Sequence, residues 1–244
     1  MITEILLLDH TTGRNIIWAN GSDAKREIQP AQIELIKPRW QKVRAHQKQR
    51  TRDRAEIFTP PEVCRIQNDL FDNPRRSWAD YVDAKFLEVT CGEAPYLVSR
   101  YNAVTGEPIP LDKRVGLLDR KLRVVGTETK IVGDWIDYAL RAVKSVYGYE
   151  FQGDNLYLAR RNVFETVVEY FAAKFPHRSD KPPENFWTDI AEIISWNLWQ
   201  MDGLTCSPPF HDNANLFGGM NCRIMNWATG KPFEFVELVR EARR

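Results

Sequence analysis

The chain lacks any apolar run approaching the roughly 20 residues that cross a bilayer, and its first ten residues, MITEILLLDH, carry neither a basic region nor a small-residue cleavage site. A membrane-spanning protein is not expected, and the expected compartment is the cytoplasm. Cysteine is scarce: Cys64, Cys91, Cys206 and Cys222 form no Cys-x-x-Cys pair, which argues against a zinc knuckle and a disulfide framework and leaves four ordinary thiols. His10, His46, His177 and His211 are scattered without ligand spacing, so no metal site is expected. Repeats and low-complexity tracts are absent, and so is a large net charge, at +1.

That balance hides a local excess. From Lys37 to Arg54 there are eight Lys or Arg against the single acid Asp53, a run that could lie against phosphate or serve as a solvated helix face. With 244 residues the chain is long enough for one sizeable α/β domain with appendages. The division expected is an N-terminal hairpin and basic segment over residues 1–52, followed by a main domain over residues 53–244.

Periodicity gives the coarse layout. ITEILLLD and NIIWA flank HTTGR as strand-like pieces of a hairpin. Thr59-Pro60-Pro61 opens a helix that stops near Asn73-Pro74, because proline is tolerated in a first turn whose N–H groups have no partner. KFLEVT (85–90) reads as a buried strand running into Cys91-Gly92, and residues 92–132 as loop-rich. A helix over 133–145 feeds the strand VYGYEF (146–151), and a long helix then occupies most of 155–175. FWTDIAEIISWNL (186–198) fits either a helix or a strand, with a helix preferred, and leads into a short strand WNLWQ before Asp202-Gly203. CRIMNW (222–227) is a further strand and EFVELVREARR a closing helix whose basic end suits its dipole. Strand, helix, strand in succession predicts a mostly parallel sheet flanked by helices, an α/β fold.

Four stretches then stand in a meaningful order: FTPPEV (58–63), LEVTCGEAPYL (87–97), YGYEF (147–151) and QMDGL (200–204). In an open parallel sheet, ligands bind beyond the carboxyl ends of the strands, where small residues allow close backbone approach and acids reach hydroxyls or amines. Glu150 is suited to accept from both hydroxyls of a ribose, and Asp202 from an adenine amino group. Each stretch alone is a common helix start, strand end or turn; the conjunction describes a nucleoside site.

These stretches resemble the amino-methyltransferases of restriction–modification systems, in the subgroup whose cofactor motifs precede the catalytic one. DRAEIFTPPEV is similar to that family's Thr-Pro element, and LEVTCGEAPYL to its acid-Pro-Ala-Cys-Gly loop, with the likeness running from about residue 53 to about residue 204. The resemblance implies a Rossmann-like class I methyltransferase fold, S-adenosyl-L-methionine as cofactor and DNA as partner. It places Thr59 and Pro60 over the cofactor, Glu88 at its methionine end, Thr90, Cys91, Gly92 and Tyr96 in the loop beneath it, Glu150 and Phe151 at its ribose and adenine, and Asp202 with Gly203 at the adenine edge. The chain also looks like bacterial restriction-system methylation subunits over almost its whole length.

Three features depart from that pattern. The family's catalytic motif, Asn/Asp/Ser-Pro-Pro-Tyr/Phe, holds the target amine and stacks on a flipped base. Ser207-Pro208-Pro209-Phe210 spells it, but begins only five residues after Asp202; Asn226-Trp227 has the better spacing without the prolines. Only 17 residues follow Trp227, so either the N-terminal hairpin completes the sheet or the fold is reduced at its C-terminal end. The insert 99–133 offers Arg100, Lys113, Arg114, Arg120, Lys121 and Arg123 to DNA, or is a plain surface loop. Two functions are therefore carried forward: adenine-N6 methylation of DNA, or a catalytically inactive relative that binds S-adenosyl-L-methionine or nucleic acid as a partner subunit, or as an inhibitor of a nucleic-acid defence system. A protein partner or homodimer is compatible with both.

Overall fold

The computed structural model describes residues 1–42, 51–52, 59–72, 77–177, 181–211 and 219–242. Most of the basic run, the residues just before Thr59 and the Asn73-Pro74 helix stop lie outside them. Three strands, β3 (Phe86–Val89), β4 (Val146–Glu150) and β5 (Leu198–Gln200), form a parallel sheet in that order. The register sets Phe86 beside Val146 and Glu88 beside Gly148, then Gly148 beside Leu198 and Glu150 beside Gln200. β4 and β5 are buried on both faces, as is usual for parallel strands, whereas β3, expected to be buried, is open to solvent on one face.

Helices α4 (Leu117–Glu128) and α5 (Val132–Lys144) connect β3 to β4, and α6 (Gly153–Lys174) and α7 (Phe186–Asn197) connect β4 to β5. Their apolar sides make the main core with Val146 and Leu198. Trp135 is fully buried there, with Phe171, Phe175 and Phe186 edge-on at 5.2–6.3 Å. A side chain of that size contributes on the order of 3 kcal/mol through burial. Helix α6 is enclosed on most sides, from Leu156 and Leu158 to Tyr170 and Phe171.

The opposite face of the sheet carries Tyr149 and Trp199. They are covered by the antiparallel pair β6 (Arg223–Asn226) and β7 (Lys231–Glu234) and by α8 (Phe235–Ala242), with Ile224 and Phe235 in contact. Leu87 and Val89 on β3 stay exposed, at 44% and 61%. Two further helices, α2 (Pro61–Phe71) and α3 (Trp78–Asp83), precede β3, and α2 starts on proline as the sequence predicts.

The N-terminal hairpin is corrected in two respects. Ile2–Leu7 forms a helix, α1, and only Leu8–Asp9 (β1) and Arg14–Asn15 (β2) pair, as a separate two-stranded ladder that does not extend the parallel sheet. The run ILLL has no period of its own, and α1 is selected by packing: Leu6 and Leu7 enter the main core, as do Ile16, Ile28 and Ile36. The loop-rich insert is also corrected, because α4 lies inside it. Its polar residues Asp119 and Lys121 are completely buried, which spoils the amphipathic pattern that would announce a helix. Among the described residues no helix is long and apolar enough to cross a membrane, and no cluster of metal-ligating side chains occurs.

Candidate nucleoside site at the carboxyl edge of the sheet

The loop after β3 is the first wall. Thr90, Gly92 and Ala94 adopt left-handed conformations, at φ 54°, 54° and 64°, alternating with neighbours that are not left-handed. Such alternation turns successive N–H groups toward one point and makes a cradle for negative charge. The charge that occupies it is Glu150: Gly92 N–H donates to Oε2 at 3.0 Å, and Gln152 N–H donates to Oε1 at 3.0 Å. The end of β4 is thereby tied to the loops that follow both strands. Gly148 makes the approach possible, since a Cβ there would lie 3.0 Å from the Cβ of Cys91.

Glu88 sits beside this pair. Its Oε1 accepts from Tyr96 N–H at 3.4 Å, whereas Oε2 is sealed from solvent with no partner among the described residues. Burial, reinforced by the nearby Glu150 carboxylate, pushes its pKa well above the usual carboxylate range. The same burial, with Glu88 and Glu150 close by, raises the Cys91 thiol, so this sulfur is held as an inert thiol. All four cysteines are buried and none is disulfide-bonded among the described residues.

The Thr-Pro element reaches the same loop. The hydroxyl of Tyr96 contacts Thr59 and donates to Gln67, and Asn68 of α2 donates to the carbonyls of Tyr96 and Val115 at 3.0 Å. Pro60 caps α2, and the Cys64 thiol points back to the Thr59 carbonyl.

The second wall is the loop after β5. Asp202 Oδ1 accepts from Leu204 N–H at 2.9 Å, while Oδ2 has no hydrogen-bond partner among the described residues. Gly203 is exposed beside the Tyr149 ring, 3.0 Å from the position a Cβ would take. Asp202 N–H donates to Ser207 O at 2.8 Å, folding the Ser207-Pro208-Pro209-Phe210 stretch back over the strand end. Phe210 then meets Phe151 edge to face at 5.6 Å, with Lys25 5.7 Å from its ring. Cys206 and Phe210 are also left-handed, at φ 57° and 63°. Of the five non-glycine residues with positive φ among those described, four lie in these two loops, a concentration of backbone strain typical of binding edges.

The two catalytic candidates are separated. Ser207 is at the carboxyl edge, but it is 1% exposed and its hydroxyl is engaged with Thr205 and the His211 carbonyl, at 2.7 and 2.8 Å. Asn226-Trp227 lies at the other end. Cys222 N–H bonds the Cys206 carbonyl near the end of β5, whereas Trp227 Nε1 donates to Asn197 Oδ1 at its start and lies under Lys144, so the strand runs antiparallel to β5. The Asn226 side chain closes its own turn, accepting from Ala228 and Thr229 N–H.

Five of the six cations of the insert are engaged within the protein, and Lys113 stays exposed beside Asp112. Arg100 pairs with Glu165 and Glu169, Arg114 with Glu169, and Arg120 with Asp69 and Asp72. Lys121 is buried on the carbonyls of Val82 and Ala84 and the Ser145 hydroxyl, and Arg123 holds the carbonyls of Leu111 and Arg114. Of the basic run, Lys42 forms a largely buried ion pair with Asp154 at 3.2 Å, and the Arg39 guanidinium donates to Thr51.

Sequence reasoning missed the second partner of Glu150, Gln152 N–H, and the strain at Phe210; both depend on loop geometry that no residue pattern announces. Comparison of the chain with protein-family models, curated proteins and solved structures gives no match.

Proposed function

We propose that this chain is an S-adenosyl-L-methionine-binding protein of class I, Rossmann-like methyltransferase design that methylates adenine N6 in DNA. The observation that carries the reading is the row of acids on three adjacent parallel strands in chain order: Glu88 on β3, Glu150 ending β4 and Asp202 just beyond β5. Ligands of open parallel sheets bind at that edge.

The residues fit the cofactor in three ways. The sealed, unpaired Oε2 of Glu88 is a buried acceptor suited to a cationic group. Glu150 stands at the end of β4 with both oxygens held in place by backbone N–H groups, which fixes a carboxylate where ribose hydroxyls would lie. Asp202 retains Oδ2 for an exocyclic amine, with Phe151 and Phe210 forming an aromatic rim. Bound there, the cofactor supplies an electrophilic sulfonium methyl, and the protein's task is to hold an amine in line with it while excluding water. DNA would meet the Lys37 to Arg54 run.

Titration calorimetry with S-adenosyl-L-methionine and transfer of labelled methyl to varied duplexes test this reading. Binding weakened by Glu150→Ala, together with methyl transfer, is the expected result; an absence of binding sinks it.

A second reading is favoured by the commitment of the Ser207 hydroxyl and by the location of Asn226-Trp227 at the far end of the sheet. Here the chain is a catalytically inactive relative, acting as a partner subunit or as an inhibitor of a nucleic-acid defence system. It predicts cofactor binding without methyl transfer to any duplex, and Ser207→Ala and Asn226→Ala variants that keep the biological activity.

A further inference from the structure

On the far side of the loop after β3, a cavity of about 380 Å³ opens between the 3₁₀ turn Arg39–Gln41, the segment 100–108 and α6. Trp40 and Tyr101 line it. Gly106 backs the indole: a Cβ at 106 would fall 2.3 Å from Trp40 Cδ2, and φ there is +83°, so only glycine lets the chain lie flat against the ring. Trp40 is nevertheless 38% exposed and stacks on no other aromatic side chain among the described residues.

Asn162 contributes an unmet acceptor. This side chain is 3% exposed, and its Nδ2 donates to the Glu93 carbonyl at 3.0 Å and to the Tyr101 hydroxyl at 3.1 Å. The Tyr101 hydroxyl donates a hydrogen bond to the Glu93 carboxylate, which also accepts from Arg39 N–H at 2.8 Å. Because the Glu93 carbonyl can only accept, the amide orientation is fixed, and Oδ1 is the atom left over. It has no partner among the described residues. A buried, unpaired carbonyl is destabilising, and a ligand donor would remove that cost.

Charge completes the set. The cations lining the cavity outnumber the carboxylates four to two. Arg100 and Arg114 are taken up by Glu169, but Arg161 has only a 3.6 Å contact with Glu165, and exposed Lys37 has no ion pair among the described residues. An aromatic plate, a buried acceptor and two available cations converge here, in a volume within the range of small-molecule sites.

We propose that this cavity binds a mononucleotide whose base carries an exocyclic amine. The base lies on Trp40, its amine donates to Asn162 Oδ1, and its phosphate meets Lys37 and Arg161. The site is distinct from the carboxyl-edge site and does not depend on how that edge is used.

The test is calorimetric titration with AMP, IMP and adenosine. AMP binds; IMP, which presents a carbonyl to Asn162 in place of the amine, binds at least about tenfold more weakly, and adenosine loses the salt-dependent part of the affinity. Trp40→Ala weakens AMP by about tenfold, the scale of one base–aromatic stack. Phe210→Ala, at the other site, leaves AMP binding in place. Equal binding of AMP and IMP by the wild-type chain overturns the proposal, and this comparison holds even if Trp40→Ala does not fold. No AMP binding overturns it too, as does AMP binding lost with Phe210→Ala but kept with Trp40→Ala. Binding of a single-stranded oligodeoxyadenylate without AMP overturns the mononucleotide assignment.

Discussion

Gly92 N–H donates to Glu150 Oε2 at 3.0 Å, so the carboxylate that ends β4 sets the path of the loop that follows β3. Glu150→Gln replaces one acceptor oxygen with an NH₂ group facing either Gly92 or Gln152 N–H. One backbone donor is then orphaned, and the expected loss of stability is about 1–3 kcal/mol in urea unfolding. On the proposed reading the same substitution weakens S-adenosyl-L-methionine by at least about tenfold, because the loop and the ribose contact are lost together. Unchanged stability would show that Glu150 does not hold the loop.

Phe210 separates strain from contact. The residue is 42% exposed with φ 63°, and its ring touches Phe151 at 5.6 Å. Phe210→Ala keeps the unfavourable backbone and loses the ring pair; Phe210→Gly loses the same pair and relieves the backbone. Calorimetric melting should therefore place the glycine variant above the alanine variant by about 1 kcal/mol. On the proposed reading, affinity for S-adenosyl-L-methionine should fall similarly in both, since both lose the same aromatic rim.

The parts of this fold that were readable in the sequence are those where one local rule dominates. VYGYE and the apolar period of Gly153–Lys174 announce β4 and α6, and Pro60-Pro61 announces the start of α2. Helix α4 was hidden because Lys121 and Asp119 satisfy their charges inside the protein, through contacts more than twenty residues away in the case of Lys121. The site was half legible. Acids at strand ends identify Glu88, Glu150 and Asp202, but nothing local shows that Glu150 already holds two backbone N–H groups, that Ser207 is turned inward, or that β6 runs antiparallel to β5. Each of those is decided by partners brought together only when the chain folds.

His10 couples the amino-terminal ladder to pH. Its ring stacks on Trp196 at 3.8 Å and its Nε2 contacts the Ser195 hydroxyl at 2.8 Å. Burial, with the nearby Arg160 charge, lowers its pKa from 6.5 to about 3. Between those values the unfolded chain binds the extra proton, so this residue's stabilisation fades as pH falls, at no more than about 1.4 kcal/mol per pH unit. Asp119, raised by burial from 3.8 to about 6, acts with the opposite sign across that part of the range. The difference between wild type and His10→Asn isolates the histidine: urea midpoints measured from pH 7 to pH 4 should converge as pH falls. Parallel curves would exclude a neutral His10.

Arg160 makes the sharpest structural prediction. Its guanidinium is fully buried and donates to the carbonyls of Leu6, Leu8, Ser195 and Leu198, at 2.8–3.0 Å. Burial lowers its pKa to about 10, which still leaves it charged at neutral pH. The four acceptors end α1, begin β1 and flank the junction of α7 with β5, so one side chain pins the amino-terminal segment to the strand that leads to Asp202. Arg160→Lys keeps the charge, but an ammonium places its donors on one atom and cannot span acceptors that a planar guanidinium reaches on three nitrogens. The expected cost is about 3 kcal/mol. Protection should be lost first around Leu6 to Ile16 in hydrogen exchange, because these residues are released before the helices around Trp135 open. Uniform loss of protection across the chain would instead make Arg160 a residue of the global core, with no special hold on the amino terminus.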